Sequence, residues 1–177
     1  DQPGLRPTPD RVRETLFNWL GQDLAGWHCV DVFAGTGALG LEAASRGAQS
    51  VLLIEQAPAA ATQLQSAVAY LQTLQLPEGV ASCALRVQRG DGLVVVRQLA
   101  SCSQNLVLLD PPFAASLFEA ALQVATRVLA PDGWVYLEAP SAWSDAQLAH
   151  WGLQVHRHLK AGAVHAHLLR RLPQTLA

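Results

Sequence analysis

Apolar residues fall along the chain in short, nearly continuous runs separated by longer stretches of three-and-four spacing. The runs are WHCVDVF (27–33), SVLLIE (50–55), CALRVQ (83–88), NLVLLD (105–110) and WVYLEA (134–139). Bounded by glycine, proline or polar residues, runs of this length predict strands buried on both faces. Between them the period lengthens to that of helices. Thr8-Pro9 predicts a helix start, a hydroxyl cap followed by proline at the first helical position. That helix carries Val12, Leu16, Trp19 and Leu20 on one stripe and ends at Gly21. Further helices are predicted from Ala38 to Arg46, from Pro58 to Leu74 with Leu64, Val68 and Leu71 on one face, over GLVVVRQLA (92–100), and from Ala115 to Leu129.

Strict alternation of strand and helix predicts a parallel sheet with right-handed crossovers. The tail departs from it. After a short helix near 144–150, LQVHRHLK and AVHAHLLR alternate apolar and polar residues on either side of Ala161-Gly162. This is a hairpin signal. The expected fold class is α/β and Rossmann-like: a seven-stranded, mostly parallel sheet with an antiparallel C-terminal hairpin and helices on both faces.

Composition agrees with one domain over 1–177: half the residues are hydrophobic and 15% are charged, enough material for a substantial core. No apolar run approaches the ~20 residues that span a bilayer, and no signal peptide is evident, so a cytoplasmic protein away from membranes is expected. Three widely spaced cysteines, Cys29, Cys83 and Cys102, lie in or beside apolar runs and are expected to be buried reduced thiols. A net charge of −2 does not advertise a nucleic-acid partner. Arg6, Arg11 and Arg13 crowd the start, however, where they form either a phosphate-facing patch or an ordinary solvated face.

Candidate chemistry begins with DVFAGTGALG (31–40), between the first strand and the next helix. Gly35, Gly37 and Gly40 match GxGxxG, and Glu55 ends the second strand 20 residues after Gly35. Glycines let backbone turn tightly and approach a ligand, and a carboxylate at the next strand end can accept hydrogen bonds from ribose hydroxyls. Any adenosine-containing cofactor makes both demands, so an NAD-dependent oxidoreductase stays open here. Asp31 tilts the balance. A carboxylate at the end of strand one repels a pyrophosphate but suits the ammonium and sulfonium of S-adenosyl-L-methionine. Gly90-Asp91-Gly92 after strand three offers a carboxylate to an adenine amino group, although Asp91 is equally suited to cap a helix.

Asp110-Pro111-Pro112-Phe113 follows the apolar strand NLVLL at the edge where doubly wound sheets place their sites. Two prolines make the turn rigid, so Asp110 and the Pro111 carbonyl can stand as fixed acceptors around one planar –NH2 group. An exocyclic base amine is a poor nucleophile because its lone pair is delocalised into the ring. Binding both hydrogens favours the pyramidal nitrogen that can attack a methyl. Positioning can contribute roughly 7–11 kcal/mol to such a reaction, and stacking of the base on Phe113 about 1–3 kcal/mol.

The motifs RPTPDRVRETLFNWL (6–20), DVFAGTGALGLEAASRGA (31–48), LLIEQ (52–56) and VLLDPPF (107–113) resemble the RsmD family over residues 4–140. These are bacterial 16S rRNA guanine-N2 methyltransferases, with the class I S-adenosylmethionine-dependent fold. The segment around RPT is the most family-specific, whereas the DPPF turn is shared by many amino-methyltransferases, adenine-N6 enzymes among them. The resemblance implies a cofactor site lined by Asp31, Phe33, Ala34, Gly35, Thr36, Gly37, Glu55, Gln56, Asp91 and Gly92. It implies a catalytic turn of Asp110, Pro111, Pro112 and Phe113, and places Thr8, Arg11 and Glu14 in a leading segment that closes over the cofactor and substrate pocket. Thr8, Arg11 and Phe113 are the expected substrate contacts. The implied partner is 16S rRNA or the assembling small ribosomal subunit, the target a guanine of the 966 type, and the enzyme a monomer. Family members usually carry a basic hairpin before the RPT segment. Here the chain starts at Asp1 without a Met, so that hairpin is expected to be missing.

His156, His158, His165 and His167 form two HxH pairs on the predicted hairpin. Alternation puts residues two apart on one face, yet no carboxylate or thiol accompanies them there. They are expected to be half-exposed strand residues, with no metal bound.

Overall fold

The computed structural model describes residues 10–113 and 116–174. Helix α1 (Asp10–Leu20) leads into an alternation of β1 (His28–Asp31), α2 (Ala38–Ser45), β2 (Ser50–Glu55), α3 (Pro58–Thr73), β3 (Ala84–Arg89), α4 (Gly92–Arg97), β4 (Gln104–Leu109), α5 (Phe118–Val128) and β5 (Leu129–Ala139). A four-residue helix α6 (Asp145–Leu148), continued by a 3-10 turn (Ala149–Trp151), precedes β6 (Leu153–Ala161) and β7 (Val164–Arg171). Among the described residues the strands form one seven-stranded sheet in the order β3-β2-β1-β4-β5-β7-β6. The pairs β1–β2, β1–β4, β2–β3 and β4–β5 are parallel, and β7 lies between β5 and β6, antiparallel to both. The chain winds outward from β1 to β3 and then reverses to β4. Crossovers diverge there and leave a crevice over the carboxyl ends of the central strands.

Alternation along each strand divides the core in two. One face packs Cys29, Val51, Leu53, Leu106, Leu108 and Tyr136 against α1, α2 and α3 through Leu16, Phe17, Leu39, Ala43, Leu64 and Val68. The other packs Val30, Ile54, Val107, Leu109, Val135 and Leu137 against α4, α5 and α6 through Val96, Leu122, Ala125, Val128 and Leu148. Burial on both faces explains why these strands read as unbroken apolar runs. Edge strand β3 lacks that burial and alternates.

Several expectations need correction. The buried stripe of α1 is Val12, Leu16 and Phe17, with Trp19 and Leu20 only half-buried, because the helix beds deeply enough to engage the neighbouring position. Leu71 is 39% exposed, since the last turns of α3 overshoot the sheet. Strand β5 begins at Leu129, where a helix end was expected. Residues 130–133 lie opposite the single residue Asn105, and this bulge accommodates Pro131, which cannot donate to a ladder. Cys102 is exposed, in a turn with φ 56°. The start cap at Thr8 lies outside the described residues.

The histidines depart furthest from expectation. A register shift between Val155 and Arg157 leaves two residues of β6 against one step of β7. His156 therefore packs against Trp134, 4.9 Å between ring centroids with the rings tilted, while His158 faces His167 across the sheet's other side. The pair that alternation put together is split. His167 is not half-exposed but fully buried. Its Nδ1 meets the Leu137 carbonyl at 3.1 Å and its Nε2 accepts the Trp143 N–H at 3.0 Å. Burial holds it down to about 4 from the ordinary 6.5, so it is neutral at neutral pH. Among the described residues no group of three His, Cys, Asp or Glu side chains could hold a metal ion, and no helix is long and apolar enough to cross a membrane.

Candidate active site

The turn after β1 is tied to both neighbouring strands. Val32 N–H donates to Leu108 O of β4 at 3.1 Å, and Ala34 N–H to Ile54 O of β2 at 2.8 Å. Gly35 and Gly37 adopt φ of 57° and 83°, the left-handed region that a side chain disfavours, and the Gly37 carbonyl accepts the Leu41 N–H at 2.8 Å to launch α2. Gly40 serves a different need: a β-carbon there would strike the Leu53 side chain and press on Asp31. The third glycine of the motif thus lets α2 lie against the strands.

Asp31 is 1% exposed and its Oδ2 accepts the Gly40 N–H at 3.0 Å. Burial, opposed by that hydrogen bond and reinforced by the charges of Glu55 and Glu138, raises its carboxyl from 3.8 to about 7. A buried acid strained in this way by desolvation and like charge is relieved by a cation. Glu55 stands half-buried at the end of β2, with Gln56 and Thr36 exposed beside it, Ala34 buried and Phe33 half-buried against the α4–α5 side of the core.

Asp91 caps α4: its Oδ1 accepts the N–H groups of Leu93 at 2.9 Å and Val94 at 3.3 Å. The capping alternative is therefore realised. Gly92 is required by closeness, since a β-carbon would collide with the Val32 carbonyl.

Asp110 follows directly on β4. In the ladder Asp31 of β1 pairs with Leu108, so the acid of the glycine loop and the acid of the DPPF turn stand at the carboxyl ends of adjacent parallel strands. Both segments therefore lie on the same edge of the sheet. Pro111 is buried, Pro112 exposed and Phe113 half-buried, its ring 6.2 Å from Phe118. Arg11 and Glu14 are exposed on α1, and Thr8 falls outside the described residues. One acid went unread in the sequence. Glu138 near the end of β5 is fully buried and accepts the Tyr136 hydroxyl at 2.6 Å. Its signal was available: like Asp31, Glu55 and Asp110 it is a carboxylate closing an apolar strand.

A sheet in this order, with one antiparallel strand inserted next to the outer edge and a glycine loop beside an acidic proline turn, defines a class I methyltransferase. Solved structures agree. The putative methyltransferase yhhF from Escherichia coli superposes with a TM-score of 0.78 at 36% identity, covering 98% of this chain and 91% of that one. The putative methylase HI0767 from Haemophilus influenzae gives 0.76 at 30%, covering 94% and 100%. The family profile described as Conserved hypothetical protein 95 matches residues 1–170. The curated Ribosomal RNA small subunit methyltransferase D of Escherichia coli strain K12 is 38% identical over 98% of this chain and 83% of its own length; the protein of that name from Haemophilus influenzae is 39% identical over 76% and 68%. The chain belongs to the RsmD family of methyltransferases.

Proposed function

We propose that this protein transfers a methyl group from S-adenosyl-L-methionine to the exocyclic N2 amine of a guanine in 16S ribosomal RNA, free or in the assembling small subunit, acting as a cytoplasmic monomer. The observation that carries this reading is the adjacency of Asp31 and Asp110 at the ends of paired strands. The donor set fits the cofactor: Asp31 is a buried acid in need of a cation, Glu55 suits ribose hydroxyls, and Asp91 with Gly92 borders the space an adenine would take. Phe33, Ala34, Gly35, Thr36, Gly37 and Gln56 complete that lining. Bound there, the cofactor supplies a sulfonium-activated methyl group.

The remaining work falls to positioning. Asp110 and the Pro111 carbonyl accept the hydrogens of the target amine, so that its lone pair turns toward the methyl, and the two prolines keep this pair of acceptors rigid. Asp110 need not be a strong base, because the methylated amine carries a positive charge and loses its proton readily. Phe113 offers the base a stacking face, and Thr8 and Arg11 are the proposed contacts to the RNA beyond it. The target nucleotide has to leave its stack to reach the turn. The relatives named as small-subunit methyltransferases support the choice of RNA.

The test is mass spectrometry of nucleosides from 16S RNA of a deletion strain, before and after incubation with the protein and cofactor. N2-methylguanosine is the expected product. N6-methyladenosine in its place, or no methylated nucleoside, overturns the proposal. Asp110→Ala is expected to abolish transfer and to leave cofactor affinity within about threefold, the two effects separating because positioning acts on the reacting amine alone.

A further inference from the structure

We infer that Glu138 reads the donor edge of the target base, accepting a hydrogen bond from guanine N1–H and thereby distinguishing guanine from adenine. The inference rests on the guanine-N2 reading and adds a residue and a source of specificity to it.

Four neighbouring strands carry a carboxylate at or beside their carboxyl ends: Glu55 on β2, Asp31 on β1, Asp110 after β4 and Glu138 on β5, in that spatial order. Leu53, Leu108 and Tyr136 all pack in the core on the α1–α3 side. The acids two residues beyond each of them share that side by alternation, and Asp31 joins them through its bond to α2. Leu109 pairs with Leu137, so the next residues, Asp110 and Glu138, stand side by side. The Tyr136 hydroxyl holds Glu138 Oε1 at 2.6 Å and fixes its direction. The charge of Glu138 is felt at Asp31, so it belongs to the same electrostatic site.

The row runs from cofactor to substrate. Glu55 and Asp31 serve the ribose and the cation, Asp110 the amine, and the acceptor beyond Asp110 is Glu138. Guanine presents two adjacent donors on one edge, the N2 amine and N1–H. Adenine presents its amine beside the bare lone pair of N1. Side-by-side carboxylates match the first pattern, whereas the second sets a lone pair against the acceptor oxygens of Glu138 and makes no hydrogen bond there. Sites built to hydrogen-bond one donor reject the analogue lacking it far more strongly than apolar pockets reject a missing methylene. If Glu138 only braced Tyr136 in the core, its loss would lower stability and leave base choice alone.

The experiment compares 16S RNA ligated to carry guanine or 2-aminopurine at the target position. The analogue keeps the amine on C2 but has a lone pair in place of N1–H. Transfer is measured as kcat/KM for the wild type, Glu138→Gln and Tyr136→Phe, with cofactor Kd by calorimetry. The wild type is expected to prefer guanine about 10- to 100-fold, the range of a hydrogen bond to a charged group. Glu138→Gln, whose amide can present acceptor or donor to N1, should bring the ratio within about threefold, and Tyr136→Phe should fall between. Cofactor Kd should stay within about threefold throughout. Equal use of both bases by the wild type, a ratio unchanged in Glu138→Gln, or a cofactor Kd that rises in step with lost activity overturns the inference. If Glu138→Gln does not fold, the wild-type ratio and Tyr136→Phe decide. Failure of the parent reading is separate: the wild type then makes no N2-methylguanosine on guanine RNA, and the inference falls with it.

Discussion

Asp31 stores a cost that a cation would relieve. Its carboxyl, raised to about 7 by burial and by Glu55 and Glu138, ionises reluctantly in the protein alone. On the proposed reading a cationic cofactor head group restores the anion. Asp31→Asn keeps an oxygen for the Gly40 N–H and removes the charge. The variant is expected to melt higher than the wild type at pH 8 without cofactor, and to bind S-adenosyl-L-methionine at least about tenfold more weakly, the loss of one charge-assisted contact. Thermal melts and calorimetric titration at one pH read both effects. Weaker binding without the gain in melting temperature would mean that Asp31 is not strained in the free protein.

Among the elements, α4 shows how a short helix is made dependable. Asp91 caps its start, and at its end Arg127 Nη2 donates to the carbonyls of Val96, Arg97 and Leu99 at 3.0, 2.9 and 2.7 Å. Six helical residues would not hold unaided. Arg127→Ala leaves those carbonyls to water and is expected to cost about 1–3 kcal/mol in urea unfolding, with cofactor affinity unchanged, because the lost contacts lie at the end of the helix away from the crevice. Gly92→Ala acts at the other end. Its β-carbon meets the Val32 carbonyl, and the clash pushes the start of α4 away from the turn after β1; both stability and, on the proposed reading, cofactor binding should fall, the former by about 1–3 kcal/mol. A Gly92→Ala protein as stable as the wild type would show that the helix can shift freely.

For the whole molecule, pH dependence sets Asp31 against His167. Asp31 has a folded value above its ordinary one, so its contribution is fully present below about 3.8 and is lost as pH rises through about 7. His167 has a folded value of about 4 against 6.5, so its contribution is present above 6.5 and is lost as pH falls toward 4. Each is on the order of 3 kcal/mol by linkage, and the two oppose one another between pH 4 and 6.5. The wild type should therefore change little in stability across that window on account of these groups. Asp31→Asn removes one side of the balance. Its advantage over the wild type should grow from pH 4 to 7, and its own stability should fall on acidification below 6.5. Parallel melting-temperature profiles for the two proteins would refute this opposition.

The α/β alternation, the terminal hairpin, the glycine loop and the proline turn were all legible in order along the chain. Each is local: a strand buried on both faces must be apolar throughout, and a left-handed turn must be glycine. The RPT and DPPF motifs carried the family for the same reason, as contiguous stretches whose chemistry depends on near neighbours. Tertiary packing decided the rest. The bulge at 155–157 turned His156 away from His158, because register belongs to the pairing of two strands and one extra residue inverts the face. His167 became a buried neutral ring only once Leu137 and Trp143 closed on it. Glu138 read as the polar end of one more strand until pairing brought it level with Asp110. Periodicity within a segment follows from its own residues, but which acids share a crevice depends on strand order, and strand order is set by how distant segments pack.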